Sequence, residues 1–250
     1  MRNYTLQNKQ KSIHIVVFTG GLYPEPGATE NFWKNSIGAA PDYVIAADSG
    51  LDACLEYKKY FAGRYDFSPR KILGDFDSIS SQEILASFEK NVVETFEKDK
   101  DFTDTELALR FAYKKASEKK LKPFVTLVGG DGGRIDHLLN NVNFFRTEFS
   151  PDAWLCAFQQ TAFLRKNCGY FLKNLRLLDN LSFVNVFGKG RKIYTNGLKW
   201  ESGLFSKGFV PSVSNRISEE NFRQGRAVFI KPKAFGFVLI FPFSAYISNS

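Results

Sequence analysis

Apolar residues along the first 150 positions fall into two alternating rhythms. Short β-rich runs occupy 13–18, 43–47, 71–73, 92–96 and 124–128, each of strand length. Helical stretches near 30–38, 50–60, 80–90, 104–120 and 136–148 follow or separate them. This alternation predicts a mostly parallel sheet flanked by helices. Ligands in such folds bind beyond the carboxyl ends of the strands, and the polar motifs of this chain fall after the apolar runs. The helix at 104–120 is the easiest to read. Thr103 and Glu106 form a capping box, while the spacing of Leu107 with Phe111 and of Ala108 with Ala112 predicts one apolar face. Lys114, Lys115, Lys119 and Lys120 gather near its end, where positive charge suits the helix dipole.

Past residue 151 the rhythm changes. A last strand at 153–158 is followed by short β-like runs at 170–172, 182–186, 192–195, 227–231 and 235–241. Gly188, Gly190, Gly197, Gly203, Gly208 and Gly225 punctuate them, and the one helix-like turn lies near 218–222. The expected fold is therefore α/β, with an N-terminal mostly parallel sheet flanked by helices and a C-terminal all-β sandwich. The expected division is 1–158 for the α/β part and 159–250 for the sandwich. A chain of 250 residues, 44% hydrophobic, can give both parts a core.

Composition narrows the function classes. No apolar run approaches the roughly 20 residues of a membrane helix, and 1–12 is polar and basic without the apolar stretch of a signal peptide. Cys54, Cys156 and Cys168 form no CxxC pair, which points to reduced thiols in a cytoplasmic protein. The 26 Phe against one Met read as core filler. The net charge of +8 raises nucleic acid as a partner, but its distribution argues against that. Residues 75–104 carry a net −6 and residues 161–250 a net +10. Acids facing a polyphosphate repel it unless metal ions intervene. The basic third either steers a phosphorylated ligand inward or is a solvated surface.

Four acidic sites follow apolar runs. In Gly74-Asp75-Phe76-Asp77-Ser78 two carboxylates stand two residues apart, on one side of the chain if the backbone is extended. Hard oxygen ligands so close suit Mg²⁺, which takes one or two carboxylates plus substrate phosphates; the alternative is an Asp-rich turn before a helix capped by Ser80 and Glu83. Asp101-Phe102-Thr103-Asp104 brackets a helix start, where dipole compensation alone accounts well for Asp104 and less well for Asp101. Asp48 opens another helix and is open to reading as a plain N-cap. The run Gly129-Gly130-Asp131-Gly132-Gly133-Arg134-Ile135-Asp136-His137 lets backbone N–H groups approach phosphates, with Arg134 adding planar charged donors. It lacks the Gly-Lys-Ser/Thr ending of a P-loop.

These motifs, with Thr195-Asn196-Gly197-Leu198-Lys199-Trp200 and Ser212-Val213-Ser214-Asn215, resemble in order and spacing those of thiamine pyrophosphokinases across residues 13–241. The resemblance implies transfer of pyrophosphate from ATP to the hydroxyl of thiamine, giving thiamine diphosphate and AMP. Asp75 and Asp77 would hold Mg²⁺. Asp104 is expected as a third metal ligand or as the group that orients and deprotonates the alcohol, with Asp48 in support. Gly130, Gly133, Arg134, Asp136, His137, Asp101 and Thr103 are expected around the nucleotide. Trp200, Ser212, Ser214, Asn215 and Lys100 are expected around thiamine, Trp200 as a stacking platform rather than a sandwich-core residue. The resemblance also implies that 1–158 binds ATP and magnesium, that 159–250 binds thiamine and dimerises, and that the homodimer shares its active sites; charge distribution and hydropathy argue against a nucleic-acid or membrane partner. The alternatives are a magnesium-dependent pyrophosphokinase for another alcohol, such as a pterin, and a non-catalytic nucleotide- or thiamine-binding regulator.

Overall fold

The computed structural model describes residues 11–77, 82–97, 101–187, 193–201 and 213–250. Ser78, Ser80, Lys100 and Ser212, singled out above, lie outside the described residues. The chain forms two compact units: Asn8–Gly27 with Ala40–Ala157, and Ala28–Ala39 with Phe158–Ser250.

The first unit is the α/β layer structure that the rhythm predicts. Strands β1 (Ser12–Thr19), β2 (Tyr43–Ala47), β3 (Lys71–Gly74), β4 (Val93–Thr95), β5 (Lys122–Gly129) and β6 (Ala153–Leu155) are parallel, in the order β4-β3-β2-β1-β5-β6. β1 lies between β2 and β5 and is buried from Ile13 onward, as a strand covered on both faces must be. Helices α1 (Gly50–Tyr60) and α3 (Asp104–Glu118) pack on it. Phenylalanines fill the core, with Phe18 edge-on to Tyr57 at 5.1 Å and Phe61 tilted on Phe67 at 5.4 Å. Winding runs outward from β1 through β2, β3 and β4, then resumes at β5 on the other side. The crevice between β1 and β5 is thus a topological switch point, where α/β sheets bind ligands.

Two helices are shorter than their sequence patterns. α2 spans Gln82–Ala86, and α4 spans Ile135–Phe144, ended by turns at Arg146 and Thr147. On α3 the buried face is Thr105, Ala108, Leu109, Ala112 and Ala116. Ala108 and Ala112 are on it as expected, whereas Leu107 and Phe111 sit on its half-buried flank.

The second unit is the all-β sandwich. One layer is β7 (Gln160–Leu164), β12 (Phe237–Phe241) and β9 (Ser182–Asn185), antiparallel. The other runs β10 (Ile193–Asn196), β11 (Val228–Pro232), β8 (Tyr170–Lys173), β13 (Tyr246–Asn249). Alternate residues point inward and share one core, including Leu164, Leu172, Phe183, Ile193, Ile230 and Leu239. α5 (Glu219–Arg223), capped by the Ser218 hydroxyl, is the turn foreseen at 218–222. The stretch near residue 34 belongs to this unit. It forms a π-helical turn, Phe32–Ile37, closed by left-handed Gly38, and the Ser36 hydroxyl accepts from the Ile247 N–H.

Candidate active site

The carboxyl ends of the parallel strands open into one cavity of about 560 Å³. Four of the strands, β1, β2, β3 and β5, contribute through residues at or just past their ends. β1 ends at Thr19 and leads into Gly20 and Gly21, β2 delivers Asp48, and β3 delivers Asp75 and Asp77. Asp101 to Thr105 come next along the chain, and β5 leads into the glycine loop.

Asp48, Asp75 and Asp77 each offer a ligand oxygen, all within 4.8 Å of one another. Two backbone features gather them. Asp48 adopts a left-handed conformation (φ 47°), and its N–H donates to the Leu73 carbonyl. The glycine at 74 leaves room for this: a Cβ there would stand 3.1–3.2 Å from the backbone and Cβ of Asp48. The pairing of Asp75 with Asp77 also differs from the extended geometry expected. Phe76 is left-handed (φ 62°) and buried, so a turn anchored in the core brings the two acids together. The Asp77 N–H donates to Asp75 Oδ1 at 3.3 Å, closing that turn. The N-cap of α1 is Ser49, not Asp48, whose side chain is left for the cavity.

Loss of solvation raises the Asp48 carboxyl above its ordinary value, partly offset by the Ser49 N–H and reinforced by Asp104, Asp75 and Asp77. Its Oδ1 is buried and receives no hydrogen bond. Three converging carboxylates with an unsatisfied buried oxygen fit a hard divalent cation such as Mg²⁺, which would draw Asp48 into its ionised form. Asp104, the first residue of α3, lines the same cavity but is not one of the three.

The opposite wall is the glycine loop. Gly129, Gly130, Gly132 and Gly133 all have φ between 69° and 89°, and Gly130, Gly132, Gly133 and Arg134 line the cavity. Asn141 Nδ2 donates to the Gly130 carbonyl from beneath at 3.0 Å, and a Cβ on Gly130 would meet that nitrogen at 2.4 Å. Asp131 turns its charge inward: Oδ1 accepts from the Gly132 N–H at 2.8 Å and Oδ2 from the Ala157 N–H at 3.2 Å. Arg134 is exposed and forked onto Asp136, through Nε–Oδ1 at 3.2 Å and Nη2–Oδ2 at 2.5 Å. That hydrogen bonding pulls the Asp136 carboxyl down to about 2. His137 lines the cavity; Asp136 does not.

Along a third stretch of the lining Thr103 caps α3, its hydroxyl accepting from the Glu106 N–H. The Thr105 hydroxyl meets that of Thr19 at 2.5 Å, tying the first turn of α3 to the end of β1. Thr19, Thr105 and Asn141 were not singled out in the sequence. A visible trace existed only for Asn141, a polar residue where α4 turns inward.

The thiamine-side candidates lie in the sandwich unit. Trp200 is 44% exposed, with the Lys199 ammonium 5.0 Å from its ring. Buried Asn215 clamps its backbone: Oδ1 accepts from the Trp200 N–H and Nδ2 donates to its carbonyl. Ser214 is left-handed (φ 66°), and its N–H donates to the Ser182 hydroxyl.

Residues 30–154 match the family model described as thiamin pyrophosphokinase, catalytic domain. The chain belongs to the thiamin pyrophosphokinase family. It is therefore an enzyme, a transferase that pyrophosphorylates thiamine. Solved structures of similar fold include the thiamin pyrophosphokinase from Candida albicans (TM-score 0.62, 17% identity, covering 92% of this chain and 89% of that one). The yeast thiamin pyrophosphokinase is also similar (0.53, 17%, 96% and 89%), as is a thiamin pyrophosphokinase family protein from Enterococcus faecalis (0.51, 21%, 92% and 99%). At such identities these structures speak for the fold, and the matched family model speaks for the activity. Among the described residues no helix is long and apolar enough to cross a membrane.

Proposed function

We propose that the pyrophosphoryl donor is ATP, bound with Mg²⁺, and that AMP is the leaving group. The observation that carries this reading is the convergence of Asp48, Asp75 and Asp77 opposite a glycine loop at the switch point of the sheet. Three acids alone repel a polyphosphate; with a cation they bind one. Asp48, Asp75 and Asp77 hold the Mg²⁺, which when bound neutralises phosphate oxygens on which negative charge develops. The N–H groups of Gly130 and Gly133 and the side chains of Arg134 and His137 receive the phosphates. Asp136 keeps the Arg134 fork oriented, and Asp101 and Thr103 border the nucleotide.

The hydroxyethyl oxygen of thiamine attacks the β-phosphorus, and the bond to the α-phosphate oxygen breaks. Such transfer needs in-line placement more than covalent help. Asp104 orients the hydroxyl and takes its proton late. Trp200 stacks on thiamine, with Ser214 and Asn215 shaping its surroundings. The enzyme works as a homodimer sharing its two sites between subunits. It resides in the cytoplasm, a reading supported by Cys54, Cys156 and Cys168 all being free thiols.

Incubation with ATP, Mg²⁺ and thiamine, followed by product analysis, tests the reaction. Thiamine diphosphate and AMP in equal amounts are expected. ADP with thiamine monophosphate would replace this reading with a simple kinase.

A further inference from the structure

The sandwich unit holds a second cavity, of about 450 Å³, where β8, β13 and α5 meet. Its volume is in the range of small-ligand sites, and its chemistry is the reverse of the catalytic cavity. Lys173 and Arg226 line it, and among the described residues no carboxylate does. The two acids of α5 are engaged along their own helix: Glu219 pairs with Arg223 at 2.9 Å, and Glu220 accepts from the Gln224 amide. Among the described residues neither Arg226 nor Lys173 makes an ion pair, and the Lys173 ammonium lies 6.0 Å from the Phe171 ring. Two cations kept together without a counter-charge repel each other, a cost that an anion would remove.

The rest of the lining is flat or apolar. Tyr246 stands beside Lys173 in the β13–β8 register, and Phe222 of α5 adds an exposed ring. Leu172 and Leu175 are buried beneath. Aromatic faces beside cationic donors recognise a ring and a phosphate on one molecule. We propose that this cavity binds a small phosphorylated ring compound with the chemistry of a free nucleoside monophosphate. Every lining residue belongs to the sandwich unit, so the site does not depend on the reaction proposed above. It also gives a use to part of the C-terminal positive charge, which the reaction leaves unexplained.

Photolabelling of the full chain with 8-azido-AMP, followed by peptide mapping, tests this. Label is expected on peptides carrying residues 222–227 or 246, displaced by AMP but not by the same concentration of inorganic phosphate. Lys173→Gln with Arg226→Gln should lower that label at least about tenfold, the loss of charged hydrogen bonds. Its thiamine-pyrophosphorylating turnover and melting temperature should stay unchanged. Phe222→Ala, which leaves both cations, should lower it less. Label confined to residues 129–137 would overturn the proposal, as would equal labelling of the double variant. Equal labelling by 8-azidoadenosine, which lacks the phosphate, would also overturn it. So would displacement by oligoadenylate at a tenth of the AMP concentration, since the face would then serve a strand.

Discussion

The two units solve opposite positioning problems. At the edge of the parallel sheet, like charges must be forced together, and the backbone does the forcing. Asp48 and Phe76 are both left-handed, and four glycines across the cavity have positive φ. Such conformations persist only where the surrounding fold over-determines them, which here means buried β1, the Leu73 carbonyl and the amide of Asn141. In the sandwich the candidate is a single exposed ring, Trp200. Trp200 needs no unusual backbone, and one buried asparagine fixes it through two hydrogen bonds. Among the described residues the sandwich buries no charged side chain at all. Assembling charge costs stability, and among the described residues the carboxylate cluster lies in the α/β unit.

The largest effect should come from breaking the charge cluster. Asp77→Asn keeps the shape of the turn and removes one carboxylate from the set within 4.8 Å. Turnover should fall by at least about a hundredfold, the scale of lost transition-state charge stabilisation. Steady-state rates at saturating Mg²⁺ and ATP measure it, and near-normal turnover would remove Asp77 from the site.

A smaller effect should come from the ring. Because Trp200 is exposed rather than packed in the core, Trp200→Ala should leave the melting temperature almost unchanged. Thiamine binding should weaken by roughly 1–2 kcal/mol, a cation–π-sized loss, with ATP affinity little altered. Calorimetric titration of each ligand separates the outcomes. Mixing Trp200→Ala with Asp77→Asn chains sharpens the comparison, since shared sites would restore part of the activity in mixed dimers. Equal loss of both affinities with a lower melting temperature would return Trp200 to a structural role.

The same contrast explains what the sequence revealed. The parallel strands were legible because burial on both faces makes apolar runs such as 13–18, and the acids after them mark the sheet's edge. The way Asp75 meets Asp77 was hidden, because nothing in the letters says that Phe76 turns left-handed to reach the core. β7 escaped notice because it begins with Gln160, a polar residue whose buried amide donates to the Pro242 and Ala245 carbonyls. β13 escaped because all four of its residues are half-buried and show no alternation. The stretch at 30–38 read as an ordinary helix, yet its buried residues, Phe32, Trp33, Ser36 and Ile37, follow a π-helical turn. Its membership of the sandwich unit depends on contacts with β13, more than 200 residues later.

The smallest expected effect concerns the cost of the cluster itself. Burial and the neighbouring acids raise the folded-state pKa of Asp48 above the ordinary 3.8. A carboxylic acid whose pKa is raised binds its proton more tightly in the folded than in the unfolded chain. Its contribution to stability is therefore greatest below about pH 4. It is lost as pH rises from the unfolded value through the folded one, and the penalty persists at neutral pH. Asp48→Asn has no charge to desolvate. Without divalent cation at pH 7 it should melt higher than the parent chain, by on the order of 2 °C, while its turnover falls. The difference should shrink as pH falls through about 4, as Asp48 takes up its proton in both states. Added Mg²⁺ should raise the melting temperature of the parent more than that of the variant, because the cation binds the ionised cluster. Melting curves from pH 3.5 to 7.5, with EDTA or with Mg²⁺, give all three comparisons. An Asp48→Asn chain that melts lower at every pH would mean that the carboxylate supports the fold rather than straining it.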